Sequence, residues 1–181
     1  MFFILLTILT VLIFAVIILF SFPQFSPIPY FPTNNKDLEL IVKTLKLKNN
    51  QALFDLGAGD GTVIFAAANE ARKLKLNTLF VAVEMNPVLV FILQIKKLFN
   101  SNRKNIKIVW SDMFKVNLKD IAGKKESLFY LYVSPKFLEK IYSFIKKSIP
   151  NSSIVSYMYP IKSAKKIYSK TTGKNFVYRY N

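Results

Sequence analysis

The chain has 181 residues, 52% of them hydrophobic, and a formal net charge of +16, carried by 23 Lys and 3 Arg against 10 acids. It contains neither Cys nor His, which excludes disulfides, thiolate nucleophiles, histidine bases and most transition-metal sites. Carboxylates, hydroxyls, lysines and backbone groups are left to do whatever chemistry the chain performs.

Residues 1–35 carry no charged side chain, and Met1 to Phe20 are apolar except for Thr7 and Thr10. A helix over 1–22 would be about 33 Å long, enough for a bilayer core of about 30 Å. No Lys or Arg precedes the run and no small-residue cleavage site follows it, so an uncleaved transmembrane anchor is expected rather than a signal peptide. All 26 Lys and Arg lie at or beyond Lys36, which places the C-terminal bulk on the cytoplasmic side. The expected organisation is an anchor over 1–22, a linker over 23–35 stiffened by Pro23, Pro27, Pro29 and Pro32, and one domain over 36–181.

Asn34-Asn35 is a capping signal for a helix over Lys36–Leu47, with Leu38, Ile41, Val42 and Leu45 on one face. Its approach to the first strand would leave Tyr30 to Thr33 beside any ligand bound there.

Next comes a strand, Ala52–Leu56, running into Gly57, Gly59 and Gly61 and then a helix over Thr62–Leu76. Alternating glycines let the backbone turn sharply and admit a ligand closely. The helix start offers free N–H groups to that ligand. The acid Asp55 inside the motif would repel a pyrophosphate but suits a cationic group, such as the amino group or sulfonium of S-adenosylmethionine.

The second strand, Leu79–Val83, ends in Glu84, placed to accept from ribose hydroxyls. Asn86-Pro87 then caps a helix over Val88–Asn100 that is apolar nearly all round through Leu93, which predicts full burial ahead of the alternative of one face resting on lipid. A third strand, Ile106–Trp110, ends in Ser111-Asp112-Met113, suited to an adenine edge and face. A linking segment, Lys115–Ala122, leads to a fourth strand, Ser127–Val133. The helix after Ser134-Pro135 has Phe137, Leu138, Ile141, Phe144 and Ile145 as a core stripe. A fifth strand is expected over Ser153–Tyr159. Two short strands, Lys165–Ser169 and Phe176–Tyr180, would close the chain as a hairpin through Thr171-Thr172-Gly173.

The segments Asp55-Leu-Gly-Ala-Gly-Asp-Gly61, Val83-Glu-Met-Asn-Pro-Val-Leu-Val90, Trp110-Ser-Asp-Met-Phe114 and Tyr130-Leu-Tyr-Val-Ser-Pro135 resemble, in order and spacing, one family. It is the small membrane-anchored class I methyltransferases that include the lysine methyltransferases of ATP synthase c-subunit and adenine nucleotide translocase. Thr62 replaces the Arg common there after the glycine motif, and Ala58 replaces Ser. The resemblance implies an α/β, Rossmann-like class I methyltransferase fold, with a mainly parallel seven-strand sheet and a C-terminal β-hairpin, preceded by one transmembrane helix. It also implies that S-adenosyl-L-methionine is the cofactor, and that the acceptor is a lysine of a membrane or membrane-proximal protein on the cytoplasmic side.

The candidate cofactor contacts are Asp55, Gly57, Gly59, Asp60, Gly61, Glu84, Met85, Asn86, Asp112, Met113 and Thr33. The candidate substrate slot is aromatic: Tyr132, Ser134 and Pro135, with Tyr157 and Tyr159, and Tyr130 on the same strand face as Tyr132. No metal site is expected. Nucleic acid ranks last among the partners the charge suggests, behind an anionic membrane surface and plain lysine-rich composition, because Arg is scarce. The Asn/Asp-Pro-Pro-Tyr pattern of amino-methylating DNA enzymes is not present at Val133-Ser134-Pro135. Methylation of a small molecule or a lipid, and a non-catalytic binding module with the same fold, are the alternatives.

Overall fold

The computed structural model describes residues 1–21, 31–164 and 169–181. The proline-rich part of the linker, 22–30, and residues 165–168 of the expected sixth strand lie outside the described residues.

The fold is built on β1 (Gln51–Leu56), buried at all six positions. It pairs in parallel with β2 (Thr78–Glu84) on one side and β4 (Glu126–Leu131) on the other. β3 (Ile106–Trp110) adds outside β2, and β5 (Ser153–Tyr157) outside β4, both parallel. β7 (Phe176–Tyr180) joins β5 antiparallel, and β6 (Ser169–Thr172) forms the last edge. The sheet is therefore mixed, with order β3-β2-β1-β4-β5-β7-β6. Helices cover both faces, as the near-continuous apolar runs of parallel strands require.

On one face α2 (Leu38–Leu45), α3 (Thr62–Lys73) and α4 (Pro87–Phe99) pack on Leu53, Phe80, Leu128 and Tyr130. On the other, α5 (Leu118–Ala122) and α6 (Pro135–Ser148) pack on Phe54, Leu56, Val81 and Phe129. Phe54 and Phe129 stack at 5.0 Å across neighbouring strands. Leu138, Ile141 and Ile145 bury the inner stripe of α6, each contributing about 1.5–3 kcal/mol over exposure.

The first helix, α1 (Phe2–Ser21), precedes this unit. Among the described residues no helix is long and apolar enough to cross a membrane. This corrects the expectation of a transmembrane helix and of a single-pass, cytoplasm-facing placement.

Four local differences have identifiable causes. The expected helix over Lys36–Leu47 begins as a 3₁₀ turn, Asn35–Asp37, because the Asp37 side chain is engaged by the C-terminal hairpin. It ends at Leu45, where Lys46 takes the left-handed conformation of a helix C-terminus. α4 buries only Leu89, Val90 and Leu93; Phe91, Leu98 and Phe99 are exposed, since the sheet lies on one side of the helix alone. β5 stops at Tyr157, where Met158 has φ +70° and the Tyr159 N–H bonds back to the Tyr157 carbonyl at 2.9 Å, a tight three-residue turn. The hairpin turns at Gly173–Asn175 instead, with Thr171 and Thr172 inside β6.

Candidate active site

The sheet order reverses between β1 and β4, and the ligand crevice of such a sheet lies at the carboxyl ends of the strands on either side of that point. A cavity of about 340 Å³ opens there. Its floor is the turn after β1. Gly57, Gly59 and Gly61 all have positive φ. A Cβ on Gly57 would come within 3.2 Å of the Met113 Cε, so the turn holds its backbone open to the cavity. Gly61 serves a different purpose: a Cβ there would strike the side chains of Leu93 and Phe65, so it sets the contact between α3 and α4.

Glu84 ends β2 and is 5% exposed. One carboxylate oxygen accepts from the Gly59 N–H at 2.9 Å, the other from the amides of Met85 and Asn86 at 2.8 and 2.9 Å. The acid thus ties the glycine turn to the second strand while still lining the cavity. Asp112 accepts from the Phe114 N–H at 3.0 Å and sits half-buried at the third strand's end. Asp60 is drawn toward α4 by Lys96, at 2.6 Å, and accepts from the Thr62 hydroxyl at 2.8 Å. Burial works to raise its pKa, but these bonds hold the carboxyl below the usual range.

Asp55 differs from all of these. It is 4% exposed, and among the described residues its carboxyl has no hydrogen-bond partner. Burial, and then the charges of Glu84 and Asp60, push its pKa well above the ordinary value. Tyr130 lies opposite it in the β1–β4 register, with a buried hydroxyl that also lacks a partner among the described residues.

Of the residues named from sequence, Thr33, Asp55, Gly57, Gly59, Asp60, Glu84, Met85, Asp112, Met113 and Tyr132 line this cavity. Asn86 does not; its side chain caps α4 through the Val88 and Leu89 amides. Ser134 and Pro135 begin α6, and their neighbours Val133 and Phe137 face the cavity instead. Tyr157 sits behind Tyr132, ring centroids 4.9 Å apart and nearly perpendicular. Tyr159 packs in the core of the opposite sheet face, so the expectation that it shares a face with Tyr157 is corrected by the turn at Met158. Phe31, Phe114, Phe137 and Lys140 also line the cavity and carry no motif. Only the α6 stripe, which put Phe137 one turn from Ser134, hinted at any of them.

The strand order, the glycine turn and the acid-ended strands define the Rossmann-like fold of class I S-adenosylmethionine-dependent methyltransferases. The chain matches the RNA methyltransferase from Salinibacter ruber, solved with S-adenosyl-L-homocysteine, at a TM-score of 0.68 and 18% identity over 83% of this chain and 92% of that one. No family model matches. In sequence, the chain is 27% identical over 141 residues to the probable ribosomal RNA small subunit methyltransferase A of Methanosphaera stadtmanae, which covers 78% of this chain and 46% of that protein. It is 31% identical over 98 residues to the Homo sapiens lysine N-methyltransferase that acts on the c-subunit of ATP synthase, covering 53% of this chain and 38% of that protein. The match thus spans less than half the length of either curated relative. S-adenosylmethionine is the cofactor to which this fold and site correspond.

Asp55→Asn is expected to separate binding from stability. Because the folded-state pKa of Asp55 is raised, the folded protein keeps a proton that the unfolded chain releases at about pH 3.9. Its contribution to stability therefore falls as pH rises from there through the folded value. The variant should unfold at a higher temperature than the parent at neutral pH, yet bind S-adenosylmethionine about ten- to a hundred-fold more weakly. Thermal melts and calorimetry on the same samples check both.

Proposed function

We propose that the protein transfers a methyl group from S-adenosylmethionine to a lysine side chain of a protein. The observation that carries the choice of acceptor is the aromatic part of the cavity lining, Phe31, Phe114, Tyr132 and Phe137. When bound, the cofactor supplies a methyl group on a sulfonium, which an unprotonated amine attacks.

The residues of this chain would act as follows. Asp55, Glu84 and Asp112 hold the cofactor by its cationic, ribose and adenine parts. The glycine turn lets its backbone approach, and the aromatic wall receives the acceptor. An amine of pKa about 10.4 must lose a proton near neutrality, which costs about 4–5 kcal/mol. An apolar aromatic wall lowers that cost by disfavouring the ammonium. The same rings suit an alkylammonium by cation–π contact, and the Lys140 ammonium already rests 4.5 Å above Phe114. Similarity to a lysine N-methyltransferase supports this acceptor.

A second reading, RNA methylation, is favoured by similarity to a probable ribosomal RNA methyltransferase over more of the chain, and by the +16 charge. Incubation with methyl-labelled cofactor and separated protein, RNA and lipid fractions decides between them. Label recovered as methyl-lysine after protein hydrolysis is expected. Label confined to RNA would replace the first reading by the second, and label in lipid would overturn both.

A further inference from the structure

Among the described residues that line the cavity, Lys140 is the one basic side chain. It comes from α6, three residues after Phe137, so the two share a helix face and both reach the cavity. Its ammonium rests 4.5 Å above the centre of the Phe114 ring, and no acceptor among the described residues holds it by a hydrogen bond or ion pair. Lys96, near the same glycine turn, is in contrast tied to the Asp60 carboxylate at 2.6 Å and to its carbonyl at 2.9 Å. The Phe114 ring is fixed in turn by Phe144, which meets it edge-on at 5.6 Å between centroids.

A cavity of about 340 Å³ has the size of a site for one small ligand. Lys140 stands in its wall on a flexible four-carbon stem, exposed on its outer side and with no ion pair to break. Its amine is therefore the acceptor nearest to hand for a methyl donor bound there. We propose that the protein methylates its own Lys140, in cis, when no other acceptor fills the aromatic part of the cavity. This rests on the function proposed above and names a modification site within it. The ammonium first gives its proton to water. The amine nitrogen then bonds to the methyl carbon, and the carbon–sulfur bond breaks with its electron pair left on sulfur, which yields S-adenosylhomocysteine. The methylated side chain keeps its charge, so its contact with Phe114 persists.

Incubation of the full chain alone with S-adenosylmethionine, followed by proteolysis and mass spectrometry, tests this. Methyl groups are expected on Lys140, accumulating with a rate constant that does not change when the protein is diluted. Methyl groups mainly on other residues, none on a chain that binds the cofactor, or a rate constant proportional to protein concentration would each overturn the assignment. A second measurement needs no turnover. Labelling by an amine-reactive reagent should slow several-fold at Lys140 once S-adenosylhomocysteine fills the cavity, and stay the same at Lys104, in the 3₁₀ turn before β3. Unchanged labelling of Lys140 would put its amine outside the cavity and overturn the proposal. Calorimetry with S-adenosylhomocysteine separates this inference from the reading beneath it. A chain that binds no cofactor would overturn both, whereas one that methylates lysines of other proteins but never Lys140 would overturn this inference alone.

Discussion

Glu84→Ala is expected to weaken S-adenosylmethionine binding by on the order of 2–4 kcal/mol, roughly 30- to 1,000-fold in Kd. Two effects act together. The variant removes the charged acceptor placed for the ribose hydroxyls. It also frees the amides of Gly59, Met85 and Asn86, which hold the glycine turn against the second strand. Glu84→Gln separates them, since it keeps one accepting oxygen and leaves the turn partly tied. Calorimetry should rank the parent above Glu84→Gln and that above Glu84→Ala. If Glu84→Ala stayed folded and bound as tightly as the parent, the ribose would have to lie elsewhere.

The second large effect is on stability, toward the β6 edge of the sheet. Asp37 is 1% exposed and accepts from the Tyr157 hydroxyl at 2.7 Å and from the amides of Lys174 and Asn175 at 2.5 and 2.9 Å. The Asn175 side-chain amide joins at 3.1 Å. One carboxylate thus fastens the start of α2 to β5 and to the β6–β7 turn. Gly173 is required beside it, because a Cβ there would collide with an Asp37 oxygen. Asp37→Ala strands these buried donors and should cost on the order of 3–5 kcal/mol, a large share of a typical domain's stability.

The pH dependence has a definite sign. Burial tends to raise the Asp37 pKa, but the bonds from Tyr157, Lys174 and Asn175 outweigh it and hold the value below the ordinary one. The contribution is therefore complete above about pH 4, the unfolded value, and is lost as pH falls through the lower folded value. Denaturant melts of parent and Asp37→Asn should differ most at neutral pH and converge in acid. A difference that grew with acidity would contradict the role given to this carboxylate.

Much of the cofactor side of the site was legible because its signals are local. A strand running into Gly57, Gly59 and Gly61 can hardly do anything but turn, and Glu84 and Asp112 announce themselves as acids at the ends of apolar runs. The substrate side was legible only in part. Tyr157 and Tyr159 alternate correctly for one strand face, yet Met158 interrupts that strand, and no local rule favours a left-handed methionine. Asn86 and Gly61 sit within the motifs but are spent on helix capping and helix contact. Full burial of α4 was read from its apolar composition, which cannot say how many neighbours a helix has. The hydrophobic first stretch posed the same problem: apolar composition predicts a helix but does not decide what that helix lies against.

What the sequence determined by itself is the order of strands and helices, the open turn after β1, and the chemistry left to a chain without Cys or His. These follow from periodicity, from glycine's freedom at positive φ and from side-chain inventory, all of which act over a few residues. Only the tertiary structure decided which acids are satisfied within the protein and which face the cavity with none. Asp37 finds a donor 120 residues away, Asp60 one 36 residues away and Glu84 one 25 residues away. The Tyr130 hydroxyl finds none of full bonding geometry among the described residues, and the Asp55 carboxyl faces the cavity. The reason is physical: an unpaired buried group is defined by what the fold fails to bring to it, and that depends on contacts between strands distant in sequence.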